Sequence, residues 1–138
     1  MIKEANVTVI VSDLNRTIRF FTETLGLKLK SHMEGEWAEV QASGLTIGLH
    51  PAEEHGPQPG KSESLSIGFV VDNLEQSMAE LKRKGVVFAP EIVKDGPVQL
   101  AFFSDPDKNP LYLCEIQMGG EKENNVKNDL SKGVKLEH

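Results

Sequence analysis

The side chains best suited to chemistry in this 138-residue sequence are His50 and Glu39. A histidine with an unperturbed pKa of about 6.5 can act as a general base, and a carboxylate can accept a proton or hold a cationic ligand. Both residues belong to runs in which apolar residues alternate with others, as in half-buried β-strands. If these strands are neighbours, the two side chains can pair, and we predict both as catalytic candidates. The alternatives are a solvated histidine beside Pro51 and a solvated carboxylate on a twisted strand.

Trp37 and Tyr112 are the only tryptophan and the only tyrosine of the chain. On an uncovered sheet face they would form a stacking platform for a planar or apolar ligand, and the tyrosine hydroxyl would orient that ligand through a hydrogen bond. Ordinary packing under a loop or at a subunit contact is the alternative. Further predicted ligand contacts are inward-facing polar residues and one aromatic residue near a turn: Asn6, Thr8, Gln41, Ser66 and Phe103.

The charge and cysteine content exclude several function classes. The formal net charge is -6, with 21 acidic and 15 basic residues. This balance argues against a nucleic-acid or membrane partner, because both require a basic surface. The single cysteine, Cys114, excludes an intramolecular disulfide and fits a reducing compartment. We therefore expect a cytoplasmic protein that acts on a small molecule, with Cys114 as a buried, inert thiol.

An internal repeat with an offset of 60 residues positions these side chains. Residues 6–14 read NVTVIVSDL and residues 66–74 read SIGFVVDNL, so each is a short apolar run followed by residues that cap helices. Large apolar residues then recur at helical spacing until Gly26 and Gly85, where left-handed C-terminal residues are expected. The repeat predicts two strand–helix units.

Each unit continues with three predicted strands, over residues 27–33, 36–42 and 45–50 and then over 86–93, 98–103 and 111–116. The sequence thus predicts an α+β fold of two β-α-β-β-β modules whose curved mixed sheet surrounds a cleft. One domain spans residues 1–117, with module one over about 4–50, a linker over 51–63 and module two over about 64–117. We expect residues 118–138 to form a flexible tail, and its last three residues resemble the start of an expression tag.

The order of the elements and the stretches SDLNRTIRFFTETLGL and SDPDKNPLYLCEI resemble the glyoxalase/bleomycin-resistance/extradiol-dioxygenase superfamily, also called vicinal oxygen chelate proteins. The resemblance covers residues 4–117. It implies four inward-facing positions that hold a divalent metal in the enzymatic members, and here they fall on Asn6, Gly48, Ser66 and Tyr112. A zinc, nickel, iron or manganese site needs about three histidine or carboxylate ligands. We therefore predict no metal and no other cofactor.

Three functions follow from this resemblance. The first is a protein that binds a small organic molecule in its cleft without the usual metal. The second is a glyoxalase-like lyase or isomerase, or a dioxygenase-type enzyme, with a metal or acid–base site rebuilt around His50 and Glu39. The third is an accessory domain that binds another protein through exposed sheet edges. The resemblance also implies a homodimer.

Overall fold

The computed structural model describes residues 1–62 and 64–117, so the predicted tail lies outside the described residues. It confirms the α+β fold with two β-α-β-β-β modules in tandem. The strands form two separate four-stranded mixed sheets, one for each module. In residues 1–62 and 64–117, no helix is long and apolar enough to cross a membrane.

Module one contains strand β1 (Val7–Val11), helix α1 (Leu14–Arg19) and strands β2 (Lys28–Met33), β3 (Trp37–Ala42) and β4 (Leu45–Pro51). Helix α1 continues directly into a π-helical turn over Phe20–Thr24. The spatial order of the strands is β1-β4-β3-β2, with β1 parallel to β4 and the other neighbours antiparallel. The last strand of the module, β4, therefore lies beside the first, β1, and β1 is an edge strand.

Module two repeats this arrangement with strand β5 (Ile67–Val70), helix α2 (Leu74–Arg83) and strands β6 (Val93–Asp95), β7 (Val98–Ser104) and β8 (Pro110–Ile116). Its spatial order is β5-β8-β7-β6, and β5 is parallel to β8. The two sheets thus have equivalent topologies, as the sequence repeat predicts.

The predicted strand over residues 86–93 is wrong, because only Val93–Asp95 pairs as a strand. Pro90 lies inside the predicted run, and proline has no N–H to donate to a β-ladder. The chain instead forms a loop, in which Val86 is buried and Val87 is 84% exposed. The backbone N–H of Ala89 still donates a hydrogen bond to the carbonyl of Phe102 at 2.8 Å.

The helix boundaries follow the predicted capping residues. The Asp13 carboxylate accepts a hydrogen bond from the N–H of Arg16 at 3.1 Å, and the Asn73 side chain accepts one from Gln76 at 2.9 Å. Such side-chain acceptors satisfy N–H groups that have no partner inside the helix. At the other ends, Gly26 and Gly85 have φ values of 76° and 95°, the left-handed conformation expected there.

A core of apolar side chains lies between each sheet and its helix. Alternate strand residues point into it, among them Val9, Val11, Ala38, Val40, Ile47, Leu49, Ile67, Ala101, Phe103, Leu111 and Leu113. The intervening residues of each strand face away from the helix, because successive side chains of a strand point to opposite sides. Each module therefore presents one sheet face that its own helix does not cover, termed here the open face.

The turn between β7 and β8 joins module two to module one. Asp107 accepts hydrogen bonds from the backbone N–H of Ser12, at 3.0 Å, and from its hydroxyl. Arg16 lies 3.4 Å from the same carboxylate, and the Asn109 amide donates to the carbonyl of Ile10 at 3.3 Å. These contacts fix one end of the junction between the modules.

Candidate functional site

The open face of module one carries the predicted catalytic residues on the neighbouring strands β3 and β4. The antiparallel register pairs Glu39 with Gly48, and its extension by one pair beyond Ala38 and Leu49 places Trp37 opposite His50. On the other side of β4, Thr8 of β1 pairs with Gly48. The alternation of the sequence therefore predicts correctly that these residues share one face.

The Trp37 indole lies directly over Gly48. An added Cβ at position 48 would overlap carbon atoms of the indole, so the ring occupies the space that any other residue would fill with its side chain. Gly48 is buried beneath the ring, whereas Trp37 itself is half-buried. The ring centroids of Trp37 and His50 are 6.2 Å apart in an edge-on arrangement. The glycine thus allows a large aromatic ring to approach the backbone of the sheet closely.

The predicted pairing of His50 with Glu39 is wrong in the described structure. The Nδ1 atom of His50 lies 2.7 Å from the carbonyl oxygen of Pro51, and its Nε2 atom lies 3.8 Å from the Glu53 carboxylate. Glu39 instead accepts a hydrogen bond from the Ser31 hydroxyl at 2.8 Å. The two cross-strand pairs, Trp37 with His50 and Glu39 with Gly48, form a four-residue square on the sheet. His50 and Glu39 lie on one diagonal of this square, and the indole extends along the other, from Trp37 to Gly48. The ring therefore lies between the two side chains that were expected to meet.

The open face of module two has an equivalent arrangement. The Tyr112 ring lies over Gly68, its partner in the β5–β8 register, and a Cβ at position 68 would overlap the ring. Phe102 of β7 pairs with Tyr112 in the register, and the ring centroids of these two residues are 5.7 Å apart. Each module thus holds one aromatic ring over one glycine on its open face.

Phe103, predicted as a ligand contact, lies on the opposite side of its sheet. It is 6% exposed, belongs to the core beneath the helix and packs against Phe88, with ring centroids 5.2 Å apart. The reason is the register, which pairs Phe103 with the buried Leu111 and Phe102 with Tyr112. Phe102, half-buried on the open face, occupies the place for which Phe103 was predicted.

The other predicted ligand contacts are exposed, and some lie outside the strands. Thr8 and Gln41 are strand residues, whereas Asn6 precedes β1 and Ser66 precedes β5. The Thr8 hydroxyl lies 3.5 Å from the Asn6 side-chain oxygen. The structure therefore brings Thr8, Trp37, Glu39, Gln41 and His50 together on module one, whereas Tyr112 belongs to module two.

Two contributors to these faces, Ser31 and Phe102, are missing from the sequence prediction, and so is the role of the inward-facing Gly68. Ser31 holds Glu39, Phe102 accompanies Tyr112, and Gly68 provides the space for a ring. A glycine inside a strand pattern does indicate a close approach by another group. The approaching ring can be identified only once the strand register is known.

Cys114 lies on the open face of module two as a half-buried thiol. Burial raises its pKa, and the neighbouring carboxylate of Glu115 raises it further. A thiol with a raised pKa carries little of the reactive thiolate at neutral pH. This agrees with the prediction of an inert cysteine.

A comparison with protein families identifies this fold. The model of the glyoxalase/bleomycin resistance protein/dioxygenase superfamily matches residues 5–113. The chain belongs to this superfamily. Among curated proteins it is similar to lactoylglutathione lyase of Schizosaccharomyces pombe and to a probable chloroplastic lactoylglutathione lyase of Arabidopsis thaliana, each at 29% identity over 80% of this chain. The alignments cover 46% and 35% of those relatives, so this chain spans about half of their length or less.

Solved structures of this superfamily share the fold. A glyoxalase/bleomycin resistance protein/dioxygenase superfamily member from Sphaerobacter thermophilus DSM 20745 aligns with a TM-score of 0.68 at 23% identity. The alignment covers 83% of this chain and 98% of that protein. At this identity the likeness establishes a common fold.

The residues at the metal positions implied by the superfamily do not fit a divalent cation. Gly48 has no donor atom, and the Trp37 indole fills the space where a ligand side chain would project. Asn6 and Ser66 supply only a neutral amide and a neutral hydroxyl, which are poor ligands for zinc or iron. Within residues 1–62 and 64–117, no group of three or more His, Cys, Asp or Glu side chains is arranged to hold a metal ion. The superfamily fold here carries a different set of side chains from that of a metal-binding member.

Proposed function

We propose that this superfamily member binds a small, planar organic molecule on the open face of module one without a metal. The observation that carries the proposal is the Trp37 indole, which occupies the side-chain space over Gly48 and is still partly exposed. A flat aromatic surface that remains accessible offers a stacking partner to a planar ligand. The side chains around it then determine which polar groups of the ligand are accepted.

The polar surroundings of Trp37 favour a ligand with hydrogen-bond donors or a positive charge. Glu39 is an acceptor fixed by Ser31, and Gln41 and Thr8 share its face. His50 lies beside the indole and can donate or accept, depending on its protonation state. The net charge of -6 is compatible with a cationic ligand.

The open face of module two supports the same kind of ligand. Tyr112 lies over Gly68 and pairs with Phe102, and the tyrosine adds a hydroxyl that can orient a bound molecule. Two equivalent aromatic surfaces, one on each module, would suit a ligand with extended planar or apolar parts. A homodimer in the cytoplasm remains part of the proposal.

The second candidate function is that of a glyoxalase-like enzyme. The observation that favours it is the 29% identity to the lactoylglutathione lyase of S. pombe over 80% of this chain. His50 and Glu39 are the groups available for acid–base work on this face, but the indole between them means that a substrate would have to bridge them. The donor chemistry of Asn6, Gly48, Ser66 and Tyr112 disfavours a metal-dependent version of this reaction.

Calorimetric melting with two probes separates the candidates. One probe is proflavine, a planar organic cation, and the other is S-lactoylglutathione with and without Ni²⁺. A ligand at ten times its Kd stabilises the folded state by about 1.4 kcal/mol, which corresponds to a Tm increase of about 4–7 °C for a domain of this size. We expect proflavine to raise the Tm of the native protein and of Trp37→Phe, but not that of Trp37→Leu.

The two control variants distinguish stacking from general packing, because phenylalanine keeps an aromatic face and leucine keeps only apolar volume. Equal shifts in Trp37→Phe and Trp37→Leu would overturn the role of the indole. No Tm increase with proflavine, combined with an increase by S-lactoylglutathione only when Ni²⁺ is present, would favour the metal-dependent enzyme instead.

A further inference from the structure

A second concave region, termed here the junction groove, lies between the two modules. Its volume is about 1010 Å³, and Trp37 and Tyr112 lie outside its lining. Module one contributes the end of the π-helical turn, the start of β2 and the turn between β3 and β4, and module two contributes β5 and α2. Sites for drug-sized ligands hold about 300–1,000 Å³, so the groove can accommodate a small molecule.

The junction groove lies at the end of the junction that carries the shorter of two equivalent turns. The β7–β8 turn has five residues between Ser104 and Pro110, and it reaches module one through Asp107. The equivalent β3–β4 turn has only the two residues between Ala42 and Leu45. It makes no hydrogen bond to module two within the described residues, and the junction stays open at this end. The groove therefore coincides with an asymmetry between the two modules.

The junction groove has an apolar part that is continuous with the core. Leu25 and Leu27 line it from module one, and Phe69 and Val70 line it from module two. Val70 is 74% exposed on the free edge strand β5, and this is a large apolar exposure for a strand residue. Burying such a surface against a ligand releases about 25 cal/mol for each Å² of apolar area removed from water.

The side chains that line the junction groove carry a positive net charge, whereas the net charge of the chain is negative. Two lysines, Lys28 and Lys84, line the groove together with one acid, Glu80, whereas acidic residues outnumber basic ones in the chain as a whole. Lys84 is fixed because its ammonium donates to the carbonyls of Glu23 at 3.3 Å and Thr24 at 3.5 Å. Lys28 is an exposed cation with no ion-pair partner in the described part of the chain.

From this apolar wall with a surplus of positive charge, we infer that the junction groove binds an amphipathic organic anion, a molecule with an apolar body and one carboxylate or sulfonate group. The apolar body would lie against the free edge of β5 at Val70, and the anionic group would lie beside Lys28. The groove shares Gln41 and Gly68 with the open faces but includes neither Trp37 nor Tyr112, so variants of Lys28 and of Trp37 test the two sites independently.

A pair of fluorescent probes with the same aromatic body tests the inference. The probes are 8-anilinonaphthalene-1-sulfonate, which is anionic, and N-phenyl-1-naphthylamine, which lacks the sulfonate. We expect the anionic probe to bind the native protein saturably, with one site per chain, at least 5-fold more tightly than the neutral one. Its affinity should fall as salt concentration rises, because the charges at the groove are exposed to solvent.

Two lysines of the same strand provide a matched comparison. Lys28 lines the junction groove, whereas Lys30 also lies on β2 but not in the groove lining. We expect Lys28→Glu to weaken the anionic probe at least 5-fold and the neutral probe less than 2-fold, and Lys30→Glu to leave both within 2-fold. Val70→Ser should weaken both probes, because it removes apolar contact area from the groove.

Equal effects of Lys28→Glu and Lys30→Glu would overturn the inference, as would affinities for the two probes that differ less than 2-fold in the native protein. Trp37→Leu provides the link to the proposed function. If it abolishes binding of the anionic probe, the probe occupies the open face of module one and the junction groove is not its site.

Discussion

Replacing Gly48 with alanine tests whether the Trp37 indole occupies the place of a side chain on β4. A Cβ at position 48 would overlap two carbon atoms of the six-membered ring of the indole and lie 3.1 Å from a third, so the ring must move away from the sheet. Overpacking of this kind destabilises a protein by about 1–3 kcal/mol. Against this, alanine is favoured over glycine inside a strand by about 0.5–1 kcal/mol. We expect Gly48→Ala to lower the free energy of unfolding by up to about 2.5 kcal/mol.

The effect of Gly48→Ala on stability should change sign when the indole is absent. In a Trp37→Ala background there is no ring to displace, so Gly48→Ala should stabilise the protein by about 0.5–1 kcal/mol. The coupling energy of the double-mutant cycle is then about 1–3 kcal/mol. It can be measured by urea unfolding of the four proteins followed by far-ultraviolet circular dichroism, a signal that does not depend on tryptophan.

Fluorescence provides a second measurement, because Trp37 is the only tryptophan. In Gly48→Ala its emission should shift to longer wavelength and become easier to quench with acrylamide, since the ring moves into solvent. Gly56→Ala is the control, because a Cβ there would meet only the Glu53 Cβ atom, at an ordinary 3.7 Å. A coupling energy below about 0.5 kcal/mol together with unchanged emission would refute the arrangement of Trp37 over Gly48.

Two further predictions concern Asp105 in the β7–β8 turn and the two phenylalanines of β7. Burial raises the pKa of the Asp105 carboxyl above its ordinary value of 3.8, against hydrogen bonds from Asn109 and the backbone of Asp107 that lower it. Folding therefore favours the protonated form of Asp105. The stability that this preference contributes is fully present below pH 3.8 and is lost as pH rises through the raised pKa. Melting curves should show the Tm of Asp105→Asn, relative to the native protein, higher at pH 7 than at pH 3.5, and a constant difference would contradict the raised pKa. Phe103→Ala should destabilise the protein by about 3–5 kcal/mol because Phe103 is 6% exposed. Phe102→Ala, on the half-buried open face, should destabilise it by less than half as much, and equal losses in urea unfolding would contradict the face assignments.

The sequence predicts most of the fold because its two modules repeat with the same cap and apolar positions. In β3 and β4, small or aliphatic residues such as Val40 and Ile47 alternate with polar or glycine positions, so period two identifies the buried face. In residues 98–103 five of the six residues are apolar, so the alternation does not indicate which of Phe102 and Phe103 lies in the core. The cross-strand register decides this, and it depends on contacts that are distant in the sequence.

The candidate site is less predictable than the fold for a related reason. A glycine has no side chain from which a pattern can be read, so Gly48 marks an empty position in the sequence but a covered one in the structure. The predicted pairing of His50 and Glu39 is correct in face and wrong in contact, because the indole lies across the diagonal between them. The junction groove depends on how the modules meet, which does not follow from local sequence.

The nuclear magnetic resonance signal of the Trp37 indole N–H tests the proposed ligand site most directly. The chain has one tryptophan, so its ¹H–¹⁵N spectrum contains a single indole resonance. In a screen of small planar fragments, we predict that hits shift this resonance in a saturable manner, and that they do so equally in EDTA and in added Zn²⁺ or Ni²⁺. Fragments that leave the indole resonance unmoved, or that shift it only when a metal is added, would contradict metal-independent recognition on this face.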